Sequence, residues 1–388
     1  MTREFPPITA YTGGIGTTFA AIASALARQG HEVHVVTITT ERPRREVADG
    51  VQVSVLKRPN PERLWFLEDV TWTVPVARRL RALGRFDAVL AAEWGGDAAL
   101  YAHRKPSGPL ATNLTTSIEQ AVAISHGWQR GRRMRTRHAM QSRLERAQAE
   151  RSDLLIASSR AILDWTRRLW DVDDIPNVVL PNGVDVARTR ELSLGTLPEG
   201  FPVGRPVVAF SGRLEGRKGV QVLVPAMREV WRRHPDAQLV LMGRDGDWEG
   251  GRMSDHLRVL AGSHGDRMHV LGLQPPARLF AALRAADVVA LPSIWENFAL
   301  AAVETLALGR PLIATRGSGY DDFVTSGANG LLVAPDDETA LADAIVRLLD
   351  DDGLRARLAA AAAVTGETLD SAVVATRFAD ALGTLAGR

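Results

Sequence analysis

Two cations and two carboxylates carry the residue types and spacing for chemistry on a phosphorylated substrate. Arg213 and Lys218 lie in the turn SGRLEGRKG (211–219), just after a β-branched run and just before an amphipathic stretch that opens at Val220. At a helix N-terminus, the planar fork of an arginine and the compact charge of a lysine suit a diphosphate, and neutralising that diphosphate helps it leave. A solvated basic loop is the plainer reading, and the flanking glycines argue against it. Arg217 is the spare cation and is expected to face solvent.

Glu296 and Glu304 stand in PSIWENFALAAVETLALGRP (292–311), with seven residues between them. A helix beginning near Asn297 leaves Glu296 in the loop before it, where it would meet a sugar. Glu304 then falls in the second turn, able to accept hydrogen bonds from two ribose hydroxyls, while the amides of Asn297, Phe298, Ala299 and Leu300 face phosphate. Two ordinary surface glutamates are the alternative. Against it, Glu304 enters a helix otherwise apolar at Phe298, Leu300, Val303 and Leu306. A third cluster, Gly13-Gly14-Ile15-Gly16-Thr17, opens a helix carrying Phe19 and Leu26. Its amides can approach an anion closely, although a plain turn with no ligand also fits and the spacing is not GxGxxG.

The elements that must position these residues read as strands alternating with crossover helices, the pattern of a parallel sheet. Strands are expected at HEVHVVTITT, at VQVSVL from 51, FDAVLAAE from 86, PLATNLTT from 109 and DLLIAS from 153. A second series runs VVAF at 207, a helix from Val220 to about Arg233, AQLVLMG at 237, a helix near 254 to 264, MHVLGL at 268, DVVALPS, PLIAT and GLLVAP. Ala-rich helices from about Glu338 to Leu349 and from about Leu354 to Gly387 follow. The start is unusual, because MTREFPPITA reaches the glycine turn with almost no apolar strand before it. Either a shortened strand centred on Thr2 to Phe5 suffices or the true start lies upstream. The Gly/Pro-rich stretch near 190 to 205 reads as a linker. The expected domains are 1–195, on the acceptor side, and 196–370, binding the nucleotide-sugar, with 371–388 a C-terminal helix packing back toward the first.

Together these segments resemble the retaining glycosyltransferase family 4, the glycogen synthase-like enzymes. The resemblance rests on GGIG at 13, LPNGVD at 180, GRLEGRKG at 212, the E-x7-E pattern from Glu296 to Glu304 and GANGLLVAP at 327, and it covers nearly the whole chain. It implies the α/β fold called GT-B, two Rossmann-like parallel α/β domains facing a central cleft. It also implies a hexose-type sugar moved from a nucleotide-diphosphate donor, a UDP-sugar foremost, to an acceptor hydroxyl. Arg213, Lys218 and Glu296 would be catalytic. The donor would be held by Gly13, Gly14, Ile15, Gly16, Arg213, Lys218, Gly272, Glu296, Asn297, Phe298, Ala299, Leu300 and Glu304. A front-face path is implied in which the leaving phosphate oxygen takes the acceptor proton, so no enzymatic base is needed and catalysis is positioning plus charge stabilisation. Two departures bear on the sugar: Thr115 or Thr116 stands where the family often has His, and Asn297-Phe298-Ala299 replaces Gly-Phe-Gly.

Acceptor candidates are residues expected at strand ends of the first domain: Glu93, Trp94, Asp97, Thr115, Thr116, Glu119 and His126, joined by Tyr320 and Asp321. Loop packing is the alternative for each. No cofactor and no metal is expected, since neither the acidic runs nor the histidines show ligand spacing. A nucleotide-sugar epimerase on the same fold and a non-catalytic binding protein are the competing functions.

Composition narrows the rest. The 388 residues exceed one usual core, and the absence of cysteine removes thiolate chemistry and Cys-ligated metals. Only three of 47 basic residues are lysine, and the net charge is +2, so nothing points to nucleic acid. No apolar run reaches bilayer length and no signal peptide opens the chain, which favours a cytoplasmic protein. The Arg-rich stretch from Arg130 to Arg151 could touch an anionic acceptor or a membrane surface. The favoured reading is a solvated helix face, with Leu144 and Ala147 packed inward.

Overall fold

Two separate alternations of strand and helix build two units. The computed structural model describes residues 1–6, 8–9, 13–39, 41–57, 67–124 and 132–386. The units are Met1–Gly183 with Ser371–Arg388, and Val184–Asp370. The chain therefore passes from one to the other at Gly183 and returns after Asp370, whereas the sequence suggested a passage at 195. Residues 186–192 form a helix that packs within the second unit, and the stretch from 193 to 206, largely the expected linker, joins it to the strand Val207–Ser211 inside that unit.

In the first unit, α1 (Gly14–Arg28) precedes β1 (His34–Thr39), β2 (Arg44–Ala48) and β3 (Val51–Lys57). These strands pair in the order β1-β3-β2. Strand β2, missed by the sequence reading, runs antiparallel to β3 through a two-residue turn, Asp49-Gly50, with φ of 51° and 77°. Two successive positive φ values are what a type I′ hairpin needs, and Asp-Gly supplies them. After α2 (Glu68–Leu83) come β4 (Val89–Ala92), α3 (Ala99–Ala102), β5 (Leu110–Leu114), α4 (Ile118–Ile124), α5 (Arg132–Ala149), β6 (Leu154–Ala157), α6 (Arg160–Leu169) and β7 (Asn177–Val179). Strands β4 to β7 form a parallel sheet in chain order. The C-terminal helix Ser371–Gly383 packs on α1, and its Val374 and Phe378 share a core with Ile22 and Ala111.

Residues Thr2 to Phe5 form no strand. Thr2 N–H donates to Val36 O of β1 (3.2 Å), while Met1 bonds β4 twice, its amino group donating to Leu90 O (2.6 Å) and its carbonyl accepting from Ala92 N–H (3.4 Å). The laddering stops there: Thr2 Oγ1 turns back onto Glu4 O, and Pro6 has no N–H to give.

Helix α5 corrects a second expectation. Its buried residues are Gln141, Glu145, Gln148 and Ala149, not Leu144 and Ala147. Glu145 accepts the amides of Gly95 and Ile118 (both 2.8 Å), and Gln148 accepts that of Ala98 (2.8 Å) while donating to Ala92 O (3.0 Å). Loops after β4 and β5 thus find their backbone partners on a helix, which is why that face is polar.

The second unit opens with α7 (Val186–Leu192). Its sheet contains β8 (Val207–Ser211), β9 (Gln238–Met242), β12 (Met268–Gly272), β13 (Val288–Leu291), β14 (Leu312–Thr315) and β15 (Leu331–Val333), with a small hairpin, β10 (Asp247–Trp248) and β11 (Gly251–Arg252), between. The order is β12-β9-β8-β13-β14-β15, all parallel. Every residue of β8, β9, β13 and β14 is buried, as a sheet covered on both faces requires. The covering helices are α8 (Val220–Arg233), α9 (Met253–Ala261), α10 (Pro276–Ala285), α11 (Leu300–Ala307), α12 (Glu338–Asp350) and α13 (Asp352–Thr368). The single closing helix expected from Leu354 to Gly387 is two, broken at Leu369 and Asp370 where the chain leaves the unit.

Candidate active site

In the second unit the connections reverse direction between β8 and β13, and an open parallel sheet parts its loops at such a switch point. The turn carrying Arg213 to Lys218 follows β8, and the turn carrying Ser293 to Glu296 follows β13. Backbone contacts dock the two. Ile294 N–H donates to Arg217 O (2.9 Å). Gly219, the N-cap of α8, has φ +70°, and a methyl there would lie 1.8 Å from Pro292 O. The third wall is the turn Gly319–Asp322, closed by a reciprocal Ser318–Asp321 capping box. Gly319 N–H donates to Glu296 O (2.8 Å), and a Cβ on Gly319 would collide with Asn297 O at 1.6 Å.

Glu296, 5% exposed, is the hub. Its Oε1 meets Lys218 Nζ, Arg217 Nη1 (3.2 Å) and Ser293 Oγ (3.0 Å). Burial alone would raise its pKa. Lys218 and Arg217 outweigh burial and hold the carboxyl down to about 2. Burial lowers the Lys218 ammonium in spite of Glu296, since Arg217 adds a repulsion. Arg217, expected in solvent, is only 18% exposed and bridges Glu296 to Glu215 (2.9 Å). Because Glu296 and Glu215 both turn inward, the middle cation of the triplet follows them. Arg213 is half exposed, with a loose 3.4 Å contact to Glu215, and keeps donors free for an anion.

Helix α11 starts at Leu300, with Ala299 as N-cap, and not near Asn297. The backbone of Glu296 and Asn297 is held by Gly319, and Phe298 buries its ring against Phe323 (centroids 4.8 Å), so neither is free to wind into the helix. Of the four amides expected at phosphate, only that of Leu300 lies in the first turn. Glu304 still falls in the second turn. It is half-buried, and among the described residues nothing donates to it; burial raises its pKa to about 7. Gly272 ends β12, and its carbonyl accepts from Gly243 N–H (2.9 Å).

A raised carboxyl pKa gives a pH test with a definite sign. If Glu304 holds the ribose of a donor, whose hydroxyls bind the ionised form, affinity for a nucleotide-sugar should climb from pH 6 to pH 8 and level off. Glu304→Gln should flatten that climb and weaken binding about tenfold at pH 8, measured by calorimetry; an unchanged profile removes the ribose contact. Fold stability runs the other way: the Glu304 contribution is complete below the unfolded carboxyl pKa and is lost as pH rises through about 7.

In the first unit, Gly13 is the N-cap of α1, whose first turn holds Gly14, Ile15 and Gly16. The Gly13 N–H is already occupied by the Glu4 carboxylate (2.6 Å), a resident anion at the helix N-terminus. The acceptor candidates divide. Glu93 is fully buried and accepts Thr115 N–H (2.9 Å), with its pKa raised by burial and by Glu145. Asp97 is bound by Arg3 Nε (2.7 Å), Tyr320 is interior, and Asp321 caps its own turn. Asp97, Tyr320 and Asp321 are engaged in the interior or in their own turn, and Glu93 is engaged through one carboxylate oxygen. Trp94, Thr115, Thr116 and Glu119 remain partly exposed after β4 and β5, Glu119 bonded to Ser142. His126 lies outside the described residues. Among the described residues no group of potential metal ligands gathers and no helix is long and apolar enough to cross a membrane.

Glu215 and Ser293 are the site residues that sequence reasoning missed. The only signal for Glu215 was its place between the two cations.

Comparison with known proteins identifies the family. Residues 12–188 match Glycosyltransferase Family 4, and residues 198–365 match Glycosyl transferases group 1. The glycogen synthase of Mycobacterium tuberculosis is 31% identical over 391 residues, covering 92% of this chain and 87% of that one. The D-inositol 3-phosphate glycosyltransferase of Xylanimonas cellulosilytica is 32% identical over 387 residues, covering 92% and 88%. Among solved structures, sucrose-phosphate synthase from Thermosynechococcus elongatus superimposes with a TM-score of 0.77 at 24% identity, over 95% of this chain and 92% of that one. Anabaena HepE, solved in complex with UDP, gives 0.73 at 19% identity over 97% and 98%. With both halves matched and full-length relatives above 30% identity, the chain belongs to glycosyltransferase family 4, an enzyme of the GT-B fold.

Proposed function

We propose that this glycosyltransferase moves a hexose from a UDP-sugar to a hydroxyl of a small acceptor, with retention at the anomeric carbon and without a metal. The observation that carries the reading is the Lys218–Glu296 pair at the switch point, its carboxylate buried, with the Glu304 carboxyl, unpartnered among the described residues, on the adjoining helix. Incoming diphosphate takes Lys218 and the open Arg213, and Glu304 takes the ribose. The bond from the anomeric carbon to the phosphate oxygen breaks as the acceptor oxygen bonds to the same face. The acceptor proton passes to the departing phosphate oxygen. The fixed cations stabilise the leaving charge, the part a metal plays elsewhere. The inositol phosphate in the Xylanimonas relative's name is an acceptor of the small hydroxyl-bearing class proposed here.

A panel of nucleotide-sugars, incubated with the enzyme and excess chelator, tests this directly. Slow release of nucleoside diphosphate from one donor, undiminished by chelator, is expected. A strict metal requirement overturns the mechanism, and absence of both binding and release leaves a non-catalytic protein.

A further inference from the structure

In the first unit, cations converge on a neutral hydroxyl. Ser54, in the middle of β3, is 1% exposed. Its Oγ accepts Arg79 Nε (3.0 Å) and Nη2 (2.8 Å) from α2, and lies 2.8 Å from His34 Nε2. Arg45 of β2 pairs with Ser54 in the sheet register and so shares its face. A cavity of about 250 Å³ opens among Pro43, Arg44, Arg45, Ser54, Leu56 and Arg79.

The charges there are not balanced. Arg44 has Glu46 (3.1 Å) and Glu41 (3.5 Å). Among the described residues Arg45 has no carboxylate, and Arg79 bonds only the Ser54 oxygen, leaving Nη1 unused. Burial and then Arg45 lower the pKa of Arg79; burial, then Arg79 and Arg45, lower that of His34 against a weaker pull from Glu32. His34 Nε2 and the Arg79 guanidinium thus share the one Ser54 oxygen, which fixes the guanidinium. Charge on an edge strand guards against edge pairing. That explains Arg44 and Arg45 but not Arg79, which reaches the same point from a helix.

We propose that this cavity is a binding site for a phosphate monoester, its oxygens shared between Arg45 and Arg79. Guanidinium forks fit phosphate, and an anion relieves their mutual repulsion. The volume falls below the usual range for larger ligands, roughly 300–1,000 Å³, which suits a phosphate with a sugar-sized group or less. The proposal does not depend on the chemistry assigned to the second unit.

Calorimetric titration of the full chain with inorganic phosphate tests it, using Arg79→Gln, Arg45→Gln and, as control for the donor site, Lys218→Ala. Both arginine variants should weaken phosphate binding about tenfold or more, while Lys218→Ala should leave this binding event intact. Arg45 is exposed on an edge strand, so its variant folds even if Arg79→Gln does not. Phosphate affinity unchanged in Arg45→Gln, or lost in Lys218→Ala alone, overturns the site. Vesicles of phosphatidylcholine with phosphatidic acid present the same phosphate on a lipid; binding to them without any response to free phosphate overturns the small-molecule reading.

Discussion

Lys218→Ala should lower turnover by about a hundredfold to a thousandfold, the range for removing one electrostatic stabiliser of a departing charge, and leave the protein folded. The ammonium is 20% exposed and bonded to Glu296, yet burial and Arg217 already work against its charge. A cation in that balance gains by trading its carboxylate for a diphosphate whose charge grows as the sugar departs. The fold survives because Arg217 and Ser293 still hold Glu296, so no carboxylate is left buried and alone. Steady-state kinetics with the donor identified by the panel, together with a thermal melt, provide the check. Near-native turnover in a well-folded variant would refute the assignment.

Gly219→Ala should produce a large loss of stability for a single added methyl. The left-handed conformation costs an alanine about 1 kcal/mol, and the collision with Pro292 O must be relieved by moving one of two docked turns. A total of about 3 kcal/mol corresponds to a fall of roughly 6–12 °C in the melting temperature of the second unit. Calorimetry should show that loss in one transition. An unshifted melt would mean that the two turns are not held by this contact. Activity should fall as well, since Arg217 and Lys218 immediately precede the displaced residue.

The second unit was the more legible half. Its four central strands are short runs buried on both faces, and α8 spans the residues that helical spacing and Gly219 indicated. What periodicity could not show were side chains that turn inward to serve another group. Arg217 follows Glu215 and Glu296. Gln141, Glu145 and Gln148 face inward on α5 to satisfy loop amides, so an apolar stripe was sought where a polar one lay. Helix α11 starts late because Gly319 holds the chain at Asn297, a contact between distant segments. Strand β2 had a readable signal in Asp49-Gly50, which the charged residues before it obscured.

One consequence concerns how this chain can be taken apart. The second unit is a continuous insertion whose ends meet: Val184 N–H donates to Leu369 O (3.1 Å), and Val186 N–H to Asp370 Oδ2 (3.0 Å). Residues 184–370 therefore form a cassette with its own closure, removable by two cuts at neighbouring points. The remainder cannot be made by simple truncation. Its core needs Val374 and Phe378 from beyond the cassette, so the first unit becomes whole only when its two stretches are spliced together.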